Sequence, residues 1–450
     1  MDSIHHVLGR ECSSRKFRPA LLLGLMVAFL VVLATLALLV STSAAQAFEA
    51  KLWQQDSQFA NHFGRTVFFT GGTALVTEPG EDETGTVHVY ERIGTIWTAL
   101  TSLAASDATA GARFGDALWL DGDTLVVGAP YDAEHGVAAG AVYVFERQRA
   151  GTLDDPTDDR WAQTAKLYPA AAPVPARFGS AVCLRGATLL VGAPGAGFVF
   201  VFDGRDTPDD PLDDVWVQQS QLQPAAPTGS FGRAVLLLPD ARTALLAGDH
   251  DGSTHQGKVS SFHRDDQATP ADPVDDTWVD AGGISGSDVG GTFGQSLAFA
   301  GSTLLVGGGS HAPVPPEWKP LGFVGAYDLD DAGTPGDPSD DLWVPAGTLA
   351  DPGYPAFSGF GATLALTDGA GPQVALVSSG GFDWSGGGPP PSFDILRSFR
   401  REPGGWTFTE NLVPPDDAYN DGFGRTLAID GERALIGARG APYSEVYEET

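Results

Sequence analysis

Two cysteines and two methionines in 450 residues leave this chain almost without sulfur. Cys12 falls in the N-terminal region and Cys183 in a later apolar run, so residues 48–450 hold a single thiol and no internal disulfide. Basic residues are scarce as well: 26 Lys plus Arg stand against 57 Asp plus Glu, a formal net charge of −31. A surface of that sign repels phosphates over its whole extent, which excludes nucleic acid as a partner and leaves cations, proteins and carbohydrates. No stretch beyond residue 47 carries apolar residues at helical spacing over a useful length. Signatures of common catalysts are missing too: there is no G-x-S-x-G elbow, no HExxH and no phosphate-cradling glycine loop.

One long apolar run exists, from Ala20 to Val40, behind the basic residues Arg10, Arg15, Lys16 and Arg18. It is followed by STSAAQA, where Ala45 and Ala47 have the small side chains of a signal-peptidase site. Residues 1–47 are therefore read as a signal peptide, with an uncleaved membrane anchor through residues 20–40 as the alternative. Both readings put residues 48–450 outside the cytoplasm, secreted or at the cell surface.

What the chain has in abundance is a repeat. Phe-Gly pairs begin at Phe63, Phe114, Phe178, Phe231, Phe293, Phe360 and Phe423, spaced 51 to 67 residues apart. Each opens an apolar run, turns at a site such as Asp121-Gly122, and enters a second run that closes near Gly-Ala-Pro, as at Gly128 to Pro130 and Gly192 to Pro194. A third run ends in an aromatic, such as Tyr90, Phe145 or Phe202. A fourth begins at a tryptophan and reaches an aliphatic six positions on, from Trp97 to Leu103 and five times more down to Trp406 and Leu412. Short runs rich in Val, Leu and aromatics, bounded by Asp-Gly turns, are strands, so each unit is a four-stranded meander. A series of such units is expected to be an all-β, seven-bladed β-propeller. The seventh unit reaches only its third strand, at Ser444 to Glu449, while AKLW from Ala50 to Trp53 matches the fourth-strand AKLY of Ala165 to Tyr168. A strand over residues 48–55 is therefore expected to complete the last blade.

These motifs resemble FG-GAP repeats, the unit of the integrin α-chain propeller and of many bacterial surface and secreted proteins. The stretch from Ala105 to Pro130 is closest to the bacterial form, and the resemblance extends over residues 48–450. It weakens where Gly-Ala-Pro is replaced, for instance by Thr77-Glu78-Pro79 or Ser378-Ser379. The resemblance implies a propeller; it does not bring the integrin calcium loop, because the connection between the first two strands is a two-residue turn with no room to wrap an ion.

Acidic residues are patterned. D-P-x-D-D-x-W recurs in four consecutive units at the turn between third and fourth strands. Its carboxylates are Asp155, Asp158 and Asp159; Asp210, Asp213 and Asp214; Asp272, Asp275 and Asp276; and Asp337, Asp340 and Asp341. Asp-Pro initiates turns, which accounts for the motif structurally; the alternative is an arc of calcium-binding carboxylates on one rim. The opposite rim carries the longer loops, with Tyr131, Trp318 and Trp384 as candidate ligand-binding aromatics. Asp249, His250, Asp251 and His255 read as a polar turn, and His88 as a satisfied strand residue. The function this supports is non-catalytic recognition of a protein, glycan or cell-surface component by a monomer; the rival is a glycoside hydrolase or lyase using channel carboxylates such as Glu81 and Glu83.

Overall fold

The computed structural model describes residues 48–53, 62–80, 84–149, 155–171, 173–205, 215–225, 230–248, 257–266, 276–286, 292–309, 313–314, 317–318, 322–334, 337–350, 359–368, 371–379, 395–413, 422–438 and 445–449. The leader over residues 1–47, Trp384, Glu81, Glu83 and the Asp249 to His255 turn lie outside the described residues. Phe48–Thr450 forms one compact unit.

That unit is an all-β propeller of four-stranded antiparallel sheets. Blade 2 is representative, with strands Ala117–Asp121, Thr124–Ala129, Ala141–Gln148 and Arg160–Leu167 paired in chain order. Blades 1, 3, 4, 5 and 6 begin with Val67–Thr70, Ala181–Arg185, Ala234–Leu237, Ser296–Ala300 and Leu364–Leu366. In blade 5 a small hairpin, Pro313–Val314 with Glu317–Trp318, is inserted between the second and third strands. The Phe-Gly units thus yield six blades of one continuous stretch each, not seven. The remaining sheet is a composite in which Thr426–Asp430, Arg433–Ala438 and Glu445–Glu449 are joined by Phe48–Trp53. The joining pair is antiparallel, with Leu52 opposite Val446. Leu52 is buried against Phe63, Val67, Phe69 and Leu435. First strands of successive sheets touch in order, and that of the composite touches that of blade 1.

The Phe-Gly and Gly-Ala-Pro positions have a common physical cause. Every Phe-Gly phenylalanine is at most 2% exposed, and burying such a side chain contributes about 2 kcal/mol. The following glycine, at positive φ, donates its N–H to the carbonyl at the Gly-Ala-Pro glycine of its own blade, as in Gly115 to Gly128 at 3.0 Å and Gly179 to Gly192 at 3.1 Å. That second glycine lies against the next blade: a Cβ on Gly192 would sit 1.9 Å from the carbonyl oxygen of Gly232. Two glycines meeting across a blade boundary let the sheets approach more closely than any side chain allows.

Fourth strands carry a recurrent bulge. The register between third and fourth strands slips beside the third-strand aromatic, between Val144 and Phe145, Val201 and Phe202, and Ala326 and Tyr327. Bulges increase the local twist of the strand pair. Cys183 is fully buried, accepts the Leu237 N–H at 3.2 Å and has its thiol pushed up to about 12 by burial. It packs as a small apolar residue.

Candidate functional site

The loop-bearing rim of blade 2 brings together residues from four separate segments. The ammonium of Lys166, near the end of the fourth strand, lies 2.6 Å from Asp107, 3.1 Å from Asp132 and 2.6 Å from Glu134. It also lies 5.2 Å from the ring centre of Tyr143, whose hydroxyl donates to Asp107 at 2.9 Å and Asp132 at 3.2 Å. Burial works against a charged Lys166, but hydrogen bonds to Asp107, Glu134, Tyr143 and Asp132 override it and raise its pKa. Asp107 moves the other way: burial opposes ionisation, and hydrogen bonds from Lys166 and Tyr143 outweigh that and lower its pKa. The lysine thus supplies a tethered cation where three carboxylates would otherwise repel one another.

Beside this network stands Tyr131, the first residue after Gly-Ala-Pro. The guanidinium of Arg113 lies 4.6 Å from its ring centre and that of Arg177 5.6 Å. Both arginines immediately precede a Phe-Gly pair and adopt left-handed backbone, φ 56° and 54°. That conformation is costly for a side-chain-bearing residue and is held here by fixed neighbours. The Arg177 N–H donates to Ala138 at 2.9 Å, the Tyr131 N–H to Ala112 at 3.2 Å, and the rings of His135 and Tyr168 meet at a tilt of 41° with centres 4.0 Å apart. Tyr131 therefore sits on an anchored loop between blades 2 and 3. For Trp318 the backbone is described, in the blade 5 hairpin, but not the side chain.

The acidic turns resolve into distinct jobs. The first Asp builds the turn: Asp155 accepts from the N–H and hydroxyl of Thr157 at 3.0 and 2.6 Å, and Asp337 does the same for Ser339 at 3.1 and 2.6 Å. Hydrogen bonding from those side chains lowers both pKa values. Asp158 is exposed, and Asp340 accepts from the Thr334 hydroxyl at 2.8 Å. In blades 2 and 4 the last Asp clamps an arginine on the third strand of its own blade. Asp159 receives Arg147 Nε at 2.6 Å, and Asp276 receives Arg264 Nε at 2.5 Å.

These arginines also cross to the preceding blade. Arg147 reaches Glu91 at 3.1 Å, which itself accepts from the Thr73 hydroxyl at 2.5 Å. Arg264 donates to Thr188 at 3.1 Å, whose hydroxyl bonds Asp203 at 3.0 Å. In blade 6, Arg401 grips Asp328 of blade 5 with two nitrogens at 2.8 and 2.5 Å. Arginine latches thus join blades 1 to 2 and 5 to 6 by ion pairs and blades 3 to 4 by a hydrogen bond. Their sequence trace is an arginine two positions after the third-strand aromatic. Among the described residues no group of three or more His, Cys, Asp or Glu side chains is arranged to hold a metal. Asp210, Asp213, Asp214, Asp272 and Asp275 lie outside them. His88 is buried and satisfied, with Glu78 and Ser102 each at 3.0 Å.

The family model for the FG-GAP repeat matches residues 97–145 and 406–444. No curated protein matches the chain. Among solved structures it is similar to a Bacteroides fragilis protein provisionally assigned as a 6-phosphogluconolactonase, at 11% identity over 83% of this chain and 86% of that one, TM-score 0.48. It is also similar to the periplasmic gluconolactonase of Pseudomonas aeruginosa, at 16% identity over 77% and 84%, TM-score 0.46. Trypanosoma rangeli sialidase aligns at 12% identity over 90% of this chain and 59% of its own, TM-score 0.41. Likeness at this level carries no information about activity. The repeat itself is a different matter: its two matched stretches fall on units whose Phe-Gly and Gly-Ala-Pro positions are joined by the hydrogen bonds described above, and the chain carries FG-GAP repeats on a β-propeller.

Proposed function

We propose that this propeller is an exported, non-catalytic binding module that engages a protein or glycan through its loop-bearing rim, with Tyr131 at the contact. The observation that carries the reading is the anchored Tyr131 platform, in which two arginines from adjacent Phe-Gly turns flank one aromatic ring. An aromatic and arginines held by rigid neighbours bind with little ordering cost, and such residues dominate recognition surfaces. Residues 1–47 would deliver the domain outside the cytoplasm, either released or retained at the membrane through residues 20–40. Calcium would act, if at all, as support at the acidic turns.

The test is a glycan and surface-protein array probed with residues 48–450, followed by titration of any hit against Tyr131→Ala. The variant is expected to lose about tenfold or more in affinity with its unfolding midpoint kept. A hit that Tyr131→Ala binds unchanged would remove the platform from the account. Turnover of lactone or glycoside substrates by the same preparation would overturn the non-catalytic reading.

A further inference from the structure

The boundary between blades 4 and 5 is built like a latch from which the arginine has been removed. The latch position is fixed by its backbone: Arg147 N–H donates to Asp123 at 2.8 Å, and Arg264 N–H to Arg242 at 2.7 Å. In blade 5 the same bond is made by Leu329, to Ser302 at 2.8 Å. Register agrees, since Arg147 pairs with Trp161, Arg264 with Trp278 and Leu329 with Trp343. The arginine is gone, and His263 stands where blade 1 has the cross-blade Glu91, yet the carboxylate and the tryptophan of its own blade remain. In blade 2 the guanidinium lies between the Asp159 carboxylate and, at 5.8 Å, the ring of Trp161. Their blade 5 counterparts, Asp341 and Trp343, instead line an open groove of about 570 Å³.

The groove runs between the outer strands of the two blades, past Gly283, Ile284, Tyr327, Trp343 and Pro345, with Asp341 among its lining residues. Among the described residues no donor reaches the Asp341 carboxylate. Burial, then the charges of Asp240, Asp340, Asp331 and Asp337, hold its pKa above the usual range. Those four are otherwise engaged: Asp240 caps its own turn through Thr243 at 2.8 Å, and Asp331, Asp337 and Asp340 bond Gly333, Ser339 and Thr334. The nearby Arg242 faces Asp266 at 3.6 Å. Leu342 and Val344, 63% and 44% exposed, add an apolar rim.

We propose that this groove docks an arginine of a partner polypeptide, followed by an apolar residue, so that the incoming guanidinium takes the place between Asp341 and Trp343 that Arg147 holds between Asp159 and Trp161. Charge complementarity favours such a segment, and the planar guanidinium suits both a carboxylate and an indole face better than an ammonium does. The site is independent of the Tyr131 platform.

The experiment is calorimetric titration of residues 48–450 with the blocked peptide Ala-Arg-Val-Arg-Leu-Ala, its lysine counterpart, and calcium chloride alone. The arginine peptide is expected to bind at least about tenfold more tightly than the lysine peptide. Asp341→Asn should weaken it by about tenfold or more, as expected for loss of a charge-assisted pair. Leu329→Arg, which fills the position from within, should abolish binding and raise the unfolding midpoint. Equal binding of both peptides, indifference to Asp341→Asn, or calcium binding that the peptide does not displace would each overturn the proposal. Should Leu329→Arg not fold, Asp341→Asn and the peptide pair decide alone.

Discussion

Asp276 and Asp341 occupy the same place in the same motif, one blade apart, and live in opposite electrostatic worlds. Asp276 is buried, clamped by Arg264, and through it tied to blade 3. Among the described residues the charges acting on Asp341 are those of other acids, and it lines an open groove. The difference does not lie in the motif but in one residue on the neighbouring strand, Arg264 against Leu329. An acidic turn in this fold is structural where an arginine stands beside it and a vacant receiver where one does not. Charge counted along a sequence cannot separate the two, because the deciding partner lies 12 positions upstream across a strand pair.

The comparison can be broken most severely at the boundary that both kinds of blade share. Gly192→Ala is expected to cost about 3 kcal/mol or more, or to prevent folding, because its Cβ would overlap the Gly232 carbonyl. Denaturant unfolding checks this against Gly122→Ala, where nothing lies within 4 Å of the added carbon and the cost is only that of left-handed backbone, about 1 kcal/mol.

Next in size are the latches. Arg147→Met strands Glu91 and Asp159, both under 10% exposed, and is expected to cost about 3 kcal/mol. Arg401→Met breaks a pair about a third exposed on each side, 32% and 34%, and should cost about 1 kcal/mol or less. Equal losses in the two variants would show that burial does not set latch strength.

The smallest effect has the opposite sign. Asp341 has a raised pKa in the folded protein, so the folded state binds its proton more readily than the unfolded state. Its contribution therefore improves as pH falls through that raised pKa and is unfavourable once the group is ionised. Asp341→Asn should leave stability at neutral pH unchanged or increase it by less than about 1 kcal/mol. Asp276→Asn should decrease it, by uncoupling Arg264. Thermal melts of the two variants at neutral pH decide; a loss in both would mean Asp341 has a partner after all.

Much of the architecture was legible in the sequence because it rests on local, repeated requirements. Phe-Gly, Gly-Ala-Pro and the tryptophan-to-aliphatic spacing each mark one strand end per unit, and the match of Ala50 to Trp53 with Ala165 to Tyr168 identified the strand that joins the composite sheet. The site chemistry was far less legible. Lys166 gathers Asp107, Asp132 and Glu134 from outside its own strand, so no spacing announces the cluster. Tyr131 was recognised as a loop aromatic, but the arginines beside it read only as residues preceding Phe-Gly. The acidic turns were visible as a pattern and ambiguous in meaning, since Asp159 and Asp276 owe their role to arginines on the facing strand.

The composite sheet has a kinetic consequence. Leu52 and Val446 are among the most widely separated partners in the chain, so their pairing carries a larger loop-closure entropy than any hairpin within a blade. Contacts of that kind are slow to form, which makes this seam a late step in closing the circle. A partially synthesised chain can raise its early blades one after another, yet none of them can be sealed into a finished disc until the final strand has emerged to meet the first.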